Sequence, residues 1–166
     1  MASKKKPVAP KASRPYMPEY GIPKSKQGLL SWSWAEQRLK TSHNYWISTV
    51  KPDGSPHAMV VWGLWLNGAF YFSTGRKSRK AKNLAANPHC VIGTEKANEA
   101  VVVEGTAAMT KDAAILKQFV TLYQRKYEWN MENFGEPVYV VTPVRAFGLY
   151  EKKFMGSATR WEFGKQ

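Results

Sequence analysis

The feature that most constrains the fold is a series of short apolar runs separated by tight-turn sequences. Asn67-Gly68, the strongest two-residue signal for a β-hairpin, lies between an apolar run at 57–66 and an aromatic run at 69–74. A second turn sequence at 52–55 separates the 57–66 run from the aromatic and β-branched residues 45–50. These three runs predict strands, and the short turns between them predict a three-stranded antiparallel meander.

Helical patterns are inserted between further strand-like runs and do not alternate with them. A short helix begins with a capping pattern at Ser33, a basic helix from Arg79 to Ala86 is capped by Ser78, and a longer amphipathic helix follows Thr110. Further strands are predicted at 90–94, 100–109, 138–142, 145–151 and 159–163. This order predicts a mainly β chain with peripheral helices, an antiparallel barrel and not a doubly wound parallel sheet.

Composition limits the class of protein further. The 166 residues suffice for one domain, and their 7 Trp, 8 Tyr and 7 Phe exclude global disorder. No apolar run reaches the roughly 18 residues of a membrane span, and no secretory h-region follows the first lysines, so we expect a cytoplasmic protein without a membrane span. A single cysteine, Cys90, and three histidines predict neither a disulfide nor a metal site.

Positive charge is concentrated near the N-terminus. Residues 1–26 carry +6 of the net charge of +13 and five of the ten prolines, which predicts a basic, partly disordered tail. Residues 27–166 would then form the single barrel domain. The +7 that remains in this domain suggests an anionic ligand or surface.

The most informative segment is the basic turn at 73–84. Hydroxyl side chains end a strand, a glycine-containing turn follows, and five cations surround the start of the next helix. Free N–H groups at a helix N-terminus together with fixed positive charge are what a phosphate requires. The alternative is that this segment is only a solvated basic helix.

The order of motifs around this turn resembles the pyridoxamine 5′-phosphate oxidase-like group, which includes flavin and deazaflavin oxidoreductases with a split β-barrel. The motifs that carry the resemblance are Tyr71-Phe72-Ser73-Thr74, Ser78-Arg79-Lys80, Asn83-Leu84 and Asn87-Pro88. The first hairpin at 52–62, the segment 143–147 and Arg160-Trp161 are also similar to the family, so the resemblance covers roughly 33–163.

The resemblance implies a homodimer with a cofactor in a groove between two barrels. Carried over by position, the phosphate would be held by two cations with hydroxyl donors beside them: Arg79, Lys80, Ser73, Thr74 and Ser78. The flat ring would lie against the first hairpin, largely against its backbone, at His57, Ala58, Met59, Val60 and Val61. Arg160 and Trp161 would reach the cofactor from the other subunit; the alternative is that Trp161 is a core residue and Arg160 a surface residue.

Two departures bear on the activity. The chain is shorter than true pyridoxamine 5′-phosphate oxidases and lacks their C-terminal Arg-x-His signature, so vitamin B6 phosphates are not the expected substrates. Ser78-x-Lys80-x-x-Asn83-Leu84 with the terminal Arg160-Trp161 is more similar to the branch that uses coenzyme F-420 or FMN. The resemblance thus implies an oxidoreductase that transfers hydride between F-420 or FMN and a small organic substrate.

Two other classes of function stay open. One is a cofactor or haem carrier without catalysis, since some split-barrel relatives bind haem through a histidine. The other is a basic nucleic-acid-binding barrel, although the cations cluster at one turn and do not interleave with aromatic residues along the strands. His57 is either a donor to a ring oxygen or a structural histidine.

Overall fold

The computed structural model of the chain describes residues 9–131 and 135–164. Within these residues the strands are β1 (Lys11–Ser13), β2 (Tyr45–Val50), β3 (Pro56–Val61), β4 (Gly63–Leu66), β5 (Ala69–Ser73), β6 (His89–Thr94), β7 (Glu99–Met109), β8 (Val138–Tyr150) and β9 (Thr159–Glu162). The helices are α1 (Trp32–Thr41), α2 (Arg79–Ala86), α3 (Ala113–Tyr127) and α4 (Phe154–Ser157), with a 3₁₀ turn at Glu151–Lys153.

The strands form one antiparallel sheet that curls into a barrel. Its order is β1-β9-β8-β7-β6-β2-β3, and β5 pairs with both β8 and β4. The long strand β8 therefore contacts β7, β9 and β5, and brings the two ends of the sheet around one core. Within the described residues β3 and β4 do not pair with each other, so the barrel is split there. The predicted antiparallel barrel with peripheral helices is confirmed.

The predicted three-stranded meander is wrong, because the 57–66 run forms two strands that belong to different hairpins. β3 pairs with β2, β4 pairs with β5, and Trp62 links them. After this link Gly63 has no room for a side chain, since a Cβ there would lie 2.7 Å from the Tyr71 carbonyl oxygen. The hydroxyl of Tyr127 in α3 accepts a hydrogen bond from the Gly63 N–H at 2.9 Å and donates one to the Gly63 carbonyl at 2.8 Å. The chain therefore turns at Trp62.

A closed aromatic and aliphatic core fills the barrel. Alternating residues of β2 point inward, and α1 contributes two fully buried side chains, Ala35 and Leu39. The largest buried members of this core are Tyr45, Ile47, Phe70, Phe72, Ile92, Val101, Val103, Val141 and Trp161. A second cluster lies under α3, where Phe119 packs on Leu64, Tyr71 and Val138. The apolar face predicted for α3 is therefore used to cover the β4–β5 hairpin.

Proline and capping residues account for the remaining differences from the predicted elements. β8 runs through Pro143, because Pro143 lies opposite Gly105 at a β-bulge, where an N–H can be missing from the ladder. The N-caps of α1 and α3 are Ser31 and Asp112, each two residues away from the predicted ones. Ser78 caps α2 as predicted. No helix among the described residues is long and apolar enough to cross a membrane.

The described part of the predicted tail packs against the barrel. β1 pairs with β9 at the edge of the sheet. Next to β1, the Arg14 guanidinium donates to four backbone carbonyls, those of Ser25, Gln27, Gly156 and Ala158, at 2.6–3.0 Å. Within the tail predicted to be partly disordered, residues 11–14 are therefore ordered against the barrel. Residues 1–8 lie outside the described residues.

Candidate functional site

A cleft lies where the barrel is split. It has a volume of 310 Å³ and is lined by the end of β3, the end of β5, the start of α2 and one residue of α3. The lining residues are Val60, Val61, Trp62, Ser73, Lys80 and Tyr123. We call this the Lys80 cleft. It combines one cation and one serine with two valines and two aromatic residues.

A second opening lies at the other end of β3, and we call it the Arg79 opening. Its 610 Å³ are lined by Lys51, Pro52, Asp53, His57 and Arg79. His57 and Val61 are four residues apart on the same face of β3, which corresponds to about 13 Å along the strand. An elongated ligand that follows β3 would therefore reach both the Arg79 opening and the Lys80 cleft.

The start of α2 offers backbone donors between the two openings. Ser78 Oγ accepts from the amide of Ala81 at 3.2 Å and from the Thr74 hydroxyl at 3.0 Å, which fixes the first turn of the helix. Among the described residues, the amide N–H groups of Arg79 and Lys80 have no hydrogen-bond partner. Unpaired amides of a first helical turn carry partial positive charge. They reinforce the two side-chain cations for an anionic ligand.

The two cations are in different environments. Burial lowers the pKa of the Lys80 amine, which is half-buried in its cleft, whereas Arg79 is exposed. Within the described part of the chain, neither forms an ion pair with a carboxylate, unlike Arg38, which pairs with Glu99. An anion bound in the cleft would supply the counter-charge that the desolvated Lys80 lacks. The sequence resemblance implied that Arg79 and Lys80 hold one phosphate together. In the structure Arg79 lines the Arg79 opening and Lys80 lines the adjacent Lys80 cleft.

Buried polar atoms beside β3 are left without partners. Asn83 of α2 is fully buried and donates to Thr49 Oγ1 of β2 at 3.0 Å, which ties α2 to the sheet. The Oδ1 atom of Asn83 is buried and accepts no hydrogen bond among the described residues. The same holds for Nδ1 of His57, which lies opposite Thr49 and has no hydrogen-bond partner among them. Burying such atoms costs free energy unless a partner completes them.

The predicted hydroxyl donors are largely engaged. Ser73 Oγ donates to the Pro137 carbonyl at 2.9 Å, and Thr74 Oγ1 donates to Ser78. Thr74 is also nearly buried. These two hydroxyls position the turn between β5 and α2, and the geometry leaves the backbone amides and the cations as the donors that face a ligand.

The predicted ring-binding strand is the edge of the sheet. Among the described residues β3 pairs only with β2, so its other edge carries backbone groups that these residues leave unpaired beside the split. Ala58, Met59 and Val60 are exposed, while Val61 is buried and His57 lies between these extremes. The five residues thus form one accessible strand between the two openings.

The prediction for Trp161 is wrong, and that for Arg160 depends on a second subunit. Trp161 is 0% exposed in the core of its own barrel, with its ring 5.5 Å from that of Trp32, so it cannot contact a cofactor held by another chain. The strand alternation of β9 places it inward. Arg160 points the other way, where it donates to Ser13 Oγ at 3.2 Å and pairs with Glu162 at 3.6 Å.

Sequence analysis missed an aromatic cluster beside the Lys80 cleft. Trp62 stacks on Tyr127 with 4.6 Å between ring centroids and an interplanar angle of 5°, and Tyr123 and Trp129 pack against it at 6.3 and 6.2 Å. The helical spacing of Tyr123 and Tyr127 predicted only a packing face for α3. Their approach to Trp62 follows from the break between β3 and β4, which the apolar run concealed.

The fold defines a split antiparallel barrel with a cleft at its open edge that is lined by one lysine. The chain belongs to the pyridoxamine 5′-phosphate oxidase family, whose model matches residues 34–150. This confirms the resemblance inferred from the motif order. No curated protein matches the chain significantly in sequence.

Solved structures with the same fold differ in what their names say they bind. The conserved hypothetical protein Rv2991 of Mycobacterium tuberculosis has a TM-score of 0.67 and 21% identity, over 75% of this chain and 87% of its own. A structure named F-420 reductase has a TM-score of 0.54 and 20% identity, over 67% and 94%. HutZ, the haem storage protein of Vibrio cholerae, has a TM-score of 0.55 and 14% identity, over 68% and 86%. The same fold therefore occurs in a protein named as a reductase and in one named as a haem storage protein.

Proposed function

We propose that the chain is an oxidoreductase that binds FMN or F-420 along β3 and transfers hydride between that cofactor and a small organic substrate. The observation that carries this proposal is the desolvated Lys80 amine, which has no carboxylate partner within the described residues and lines an apolar, aromatic cleft. Both cofactors combine an anionic phosphate with a flat ring, so their chemistry matches the two kinds of surface that β3 joins.

The anionic end of the cofactor would bind between the two openings. Lys80, Arg79 and the free amides at the start of α2 would hold phosphate by charge-assisted hydrogen bonds. Lys51 adds a third cation to the Arg79 opening. Asp53 is the one acid in the lining of this opening, and its carboxylate already accepts from the Ser55 hydroxyl and amide, which lower its pKa.

The ring end would lie against Val60 and Val61. The unpaired backbone edge of β3 offers N–H and carbonyl groups to the polar atoms of a flavin or deazaflavin ring. The apolar side chains of this strand end would orient the ring and exclude water, while His57, at the other end of β3, lines the Arg79 opening. When bound, either cofactor supplies the redox chemistry, and the chain contributes binding, orientation and positive charge.

The homodimer belongs to the same proposal. β2 and β3 expose Trp46 and Val60, which lie opposite each other on one face of the sheet. Val144 of β8 and an apolar hollow of 430 Å³ between β2, β6 and β7 extend the exposed apolar surface. A second copy would cover this surface and close the split edge over the cofactor. Trp65 and Trp161, in contrast, are already buried by their own chain.

One sedimentation velocity experiment tests cofactor and assembly together. The purified chain is incubated with FMN, F-420 or haemin and monitored at the absorbance of each chromophore. We expect FMN or F-420 to sediment with a species of twice the 18.8 kDa chain mass. Co-sedimentation of haem alone would contradict the oxidoreductase and indicate a haem-binding protein. A monomer, or the absence of any bound chromophore, would overturn the proposal of a cofactor bound in a cleft that a second copy closes.

A further inference from the structure

We infer that the aromatic end of the Lys80 cleft is a substrate subsite for a planar, uncharged aromatic or conjugated ring. This inference deepens the proposed function and rests on it, since it assigns the space left beside a cofactor ring at β3. The residues that form the subsite are Trp62, Tyr123 and Trp129, and Tyr127 supports them from below.

The indole of Trp62 is held by a stacked ring and a hydrogen bond, and it lines the Lys80 cleft. One face is covered by the parallel ring of Tyr127, and the indole N–H donates to Asn44 Oδ1 at 3.1 Å. Tyr123, Trp129 and His43 approach at interplanar angles of 56–81°, so among the described residues Tyr127 is the single ring stacked on it. Because Trp62 is half-buried and lines the cleft, a flat ligand in the cleft would contact the indole.

Trp129 adds an exposed wall to this subsite. It is 57% exposed, although an indole is among the side chains that gain most from burial. It follows Glu128, whose φ of 51° ends α3 in the left-handed conformation and directs the chain back toward Trp62. Trp129 approaches Trp62 edge-on, at 6.2 Å and 72°. A bound ring would therefore cover both indoles together.

The charges around the aromatic end favour an uncharged ligand. Lys126 is nearest, but its amine donates to the Tyr45 hydroxyl at 2.8 Å and to the Gly63 carbonyl at 3.1 Å. Glu95 accepts from the backbone amides of His43 and Asn44. Lys80 is the one charged residue in the cleft lining, and the proposed phosphate uses it. Glu128, next to Trp129, is exposed and solvated, so the surfaces that a substrate contacts at the aromatic end are mainly π-faces.

The test is equilibrium dialysis with a planar probe and its saturated counterpart of the same carbon number, naphthalene-1-carboxamide and decahydronaphthalene-1-carboxamide. Both are uncharged and carry the same amide, so a difference between them reports the flat ring. We expect the wild-type chain to bind the naphthalene compound at least about tenfold more tightly. Equal affinities for the two compounds would overturn the inference.

The matched variants are Trp129→Ala in the subsite and Tyr20→Ala outside it. Both residues are exposed aromatics, so neither change removes core packing. Trp129→Ala should weaken the naphthalene compound roughly tenfold, and Tyr20→Ala should leave it unchanged. Tyr123→Leu, which keeps an apolar contact with Phe119, should also weaken it. Unchanged affinity in both cleft variants would contradict the subsite.

The dialysis separates this inference from the proposed function, because it is performed without cofactor and then with FMN or F-420 at saturation. A chain that binds no cofactor but prefers the planar probe retains the subsite and loses the proposed function. A chain that binds cofactor normally and does not discriminate between the probes retains the proposed function and loses the subsite.

Discussion

At the scale of single residues, desolvation distinguishes cations that the sequence presents as equivalent. The basic turn contains five of them, yet only Lys80 is half-buried in an apolar cleft, while Lys82 and Arg79 are exposed. An unpaired half-buried amine gains more from a bound anion than an exposed one, because less water screens the interaction. Burial, and not the number of lysines, therefore identifies the residue on which binding should depend.

Lys126 provides a pH test of the same physical effect. Burial lowers its pKa from 10.5 to about 8, an effect opposed by the nearby Glu95 carboxylate. As pH rises through 8 the folded chain releases this proton while the unfolded chain keeps it until about 10.5, so the contribution of Lys126 to stability rises over this window. Urea denaturation at pH 7 and pH 9.5 should show wild type gaining free energy of unfolding relative to Lys126→Met. A constant or shrinking difference between the two proteins would contradict this assignment.

Residue identity predicted part of the site and missed the rest. Ser78 as helix cap and Lys80 beside a turn follow from local chemistry and could be predicted from the sequence. The inward orientation of Trp161 could not, because it depends on the register of β9 between β1 and β8. The position of Trp62 beside Tyr127 depends equally on contacts between distant segments.

At the scale of elements, the Arg14 side chain contributes more to holding the N-terminal strand β1 in place than the short pairing of β1 with β9 does. β1 pairs three residues with β9, and Arg14 then donates to carbonyls from two separate segments, 25–27 and 156–158. The carbonyls of Gly156 and Ala158 lie at the end of α4, where a guanidinium is favourable. This interaction explains why a basic, proline-rich segment is ordered there without an apolar core of its own.

Removal of this guanidinium should therefore destabilise the barrel. Arg14→Ala leaves several carbonyls without a charged donor, and we expect a loss of about 1–3 kcal/mol in the free energy of unfolding. The control is Lys11→Ala, because Lys11 is exposed on β1 and the change removes positive charge without these bonds. Urea denaturation that gives the same stability for both variants would contradict the structural role of Arg14.

Element boundaries show where sequence reasoning is limited. The limits of α2, β6, β7 and β9 follow from capping residues and turn sequences, and the predicted limits lie within one residue of the observed ones. The break at Trp62 and the continuous β8 were not, because an apolar run does not reveal which strand it pairs with. Pairing is set by the closure of the barrel, which is a property of the whole chain.

At the scale of the whole molecule, the split between β3 and β4 is the structural feature on which the proposed function depends. It leaves β3 as an accessible edge, opens the Lys80 cleft and brings α3 against Trp62. An exposed apolar edge strand is a liability for a monomer, and burial against a second copy and a flat ligand would remove it. The proposed cofactor, substrate subsite and dimer all depend on this one opening.

Fluorescence-quenching titration of FMN and F-420 tests directly whether the cofactor binds in the Lys80 cleft. The affinities are compared for the wild-type chain, Lys80→Ala and Lys82→Ala. Lys82 lies on the same helix two residues away and is exposed, so its variant removes the same charge without changing the cleft. Loss of a charge-assisted contact of about 1.5–3 kcal/mol should weaken the bound cofactor by at least about tenfold in Lys80→Ala, with little change in Lys82→Ala. Equal affinities for Lys80→Ala and wild type, or equal losses in both variants, would contradict a cofactor site in the Lys80 cleft.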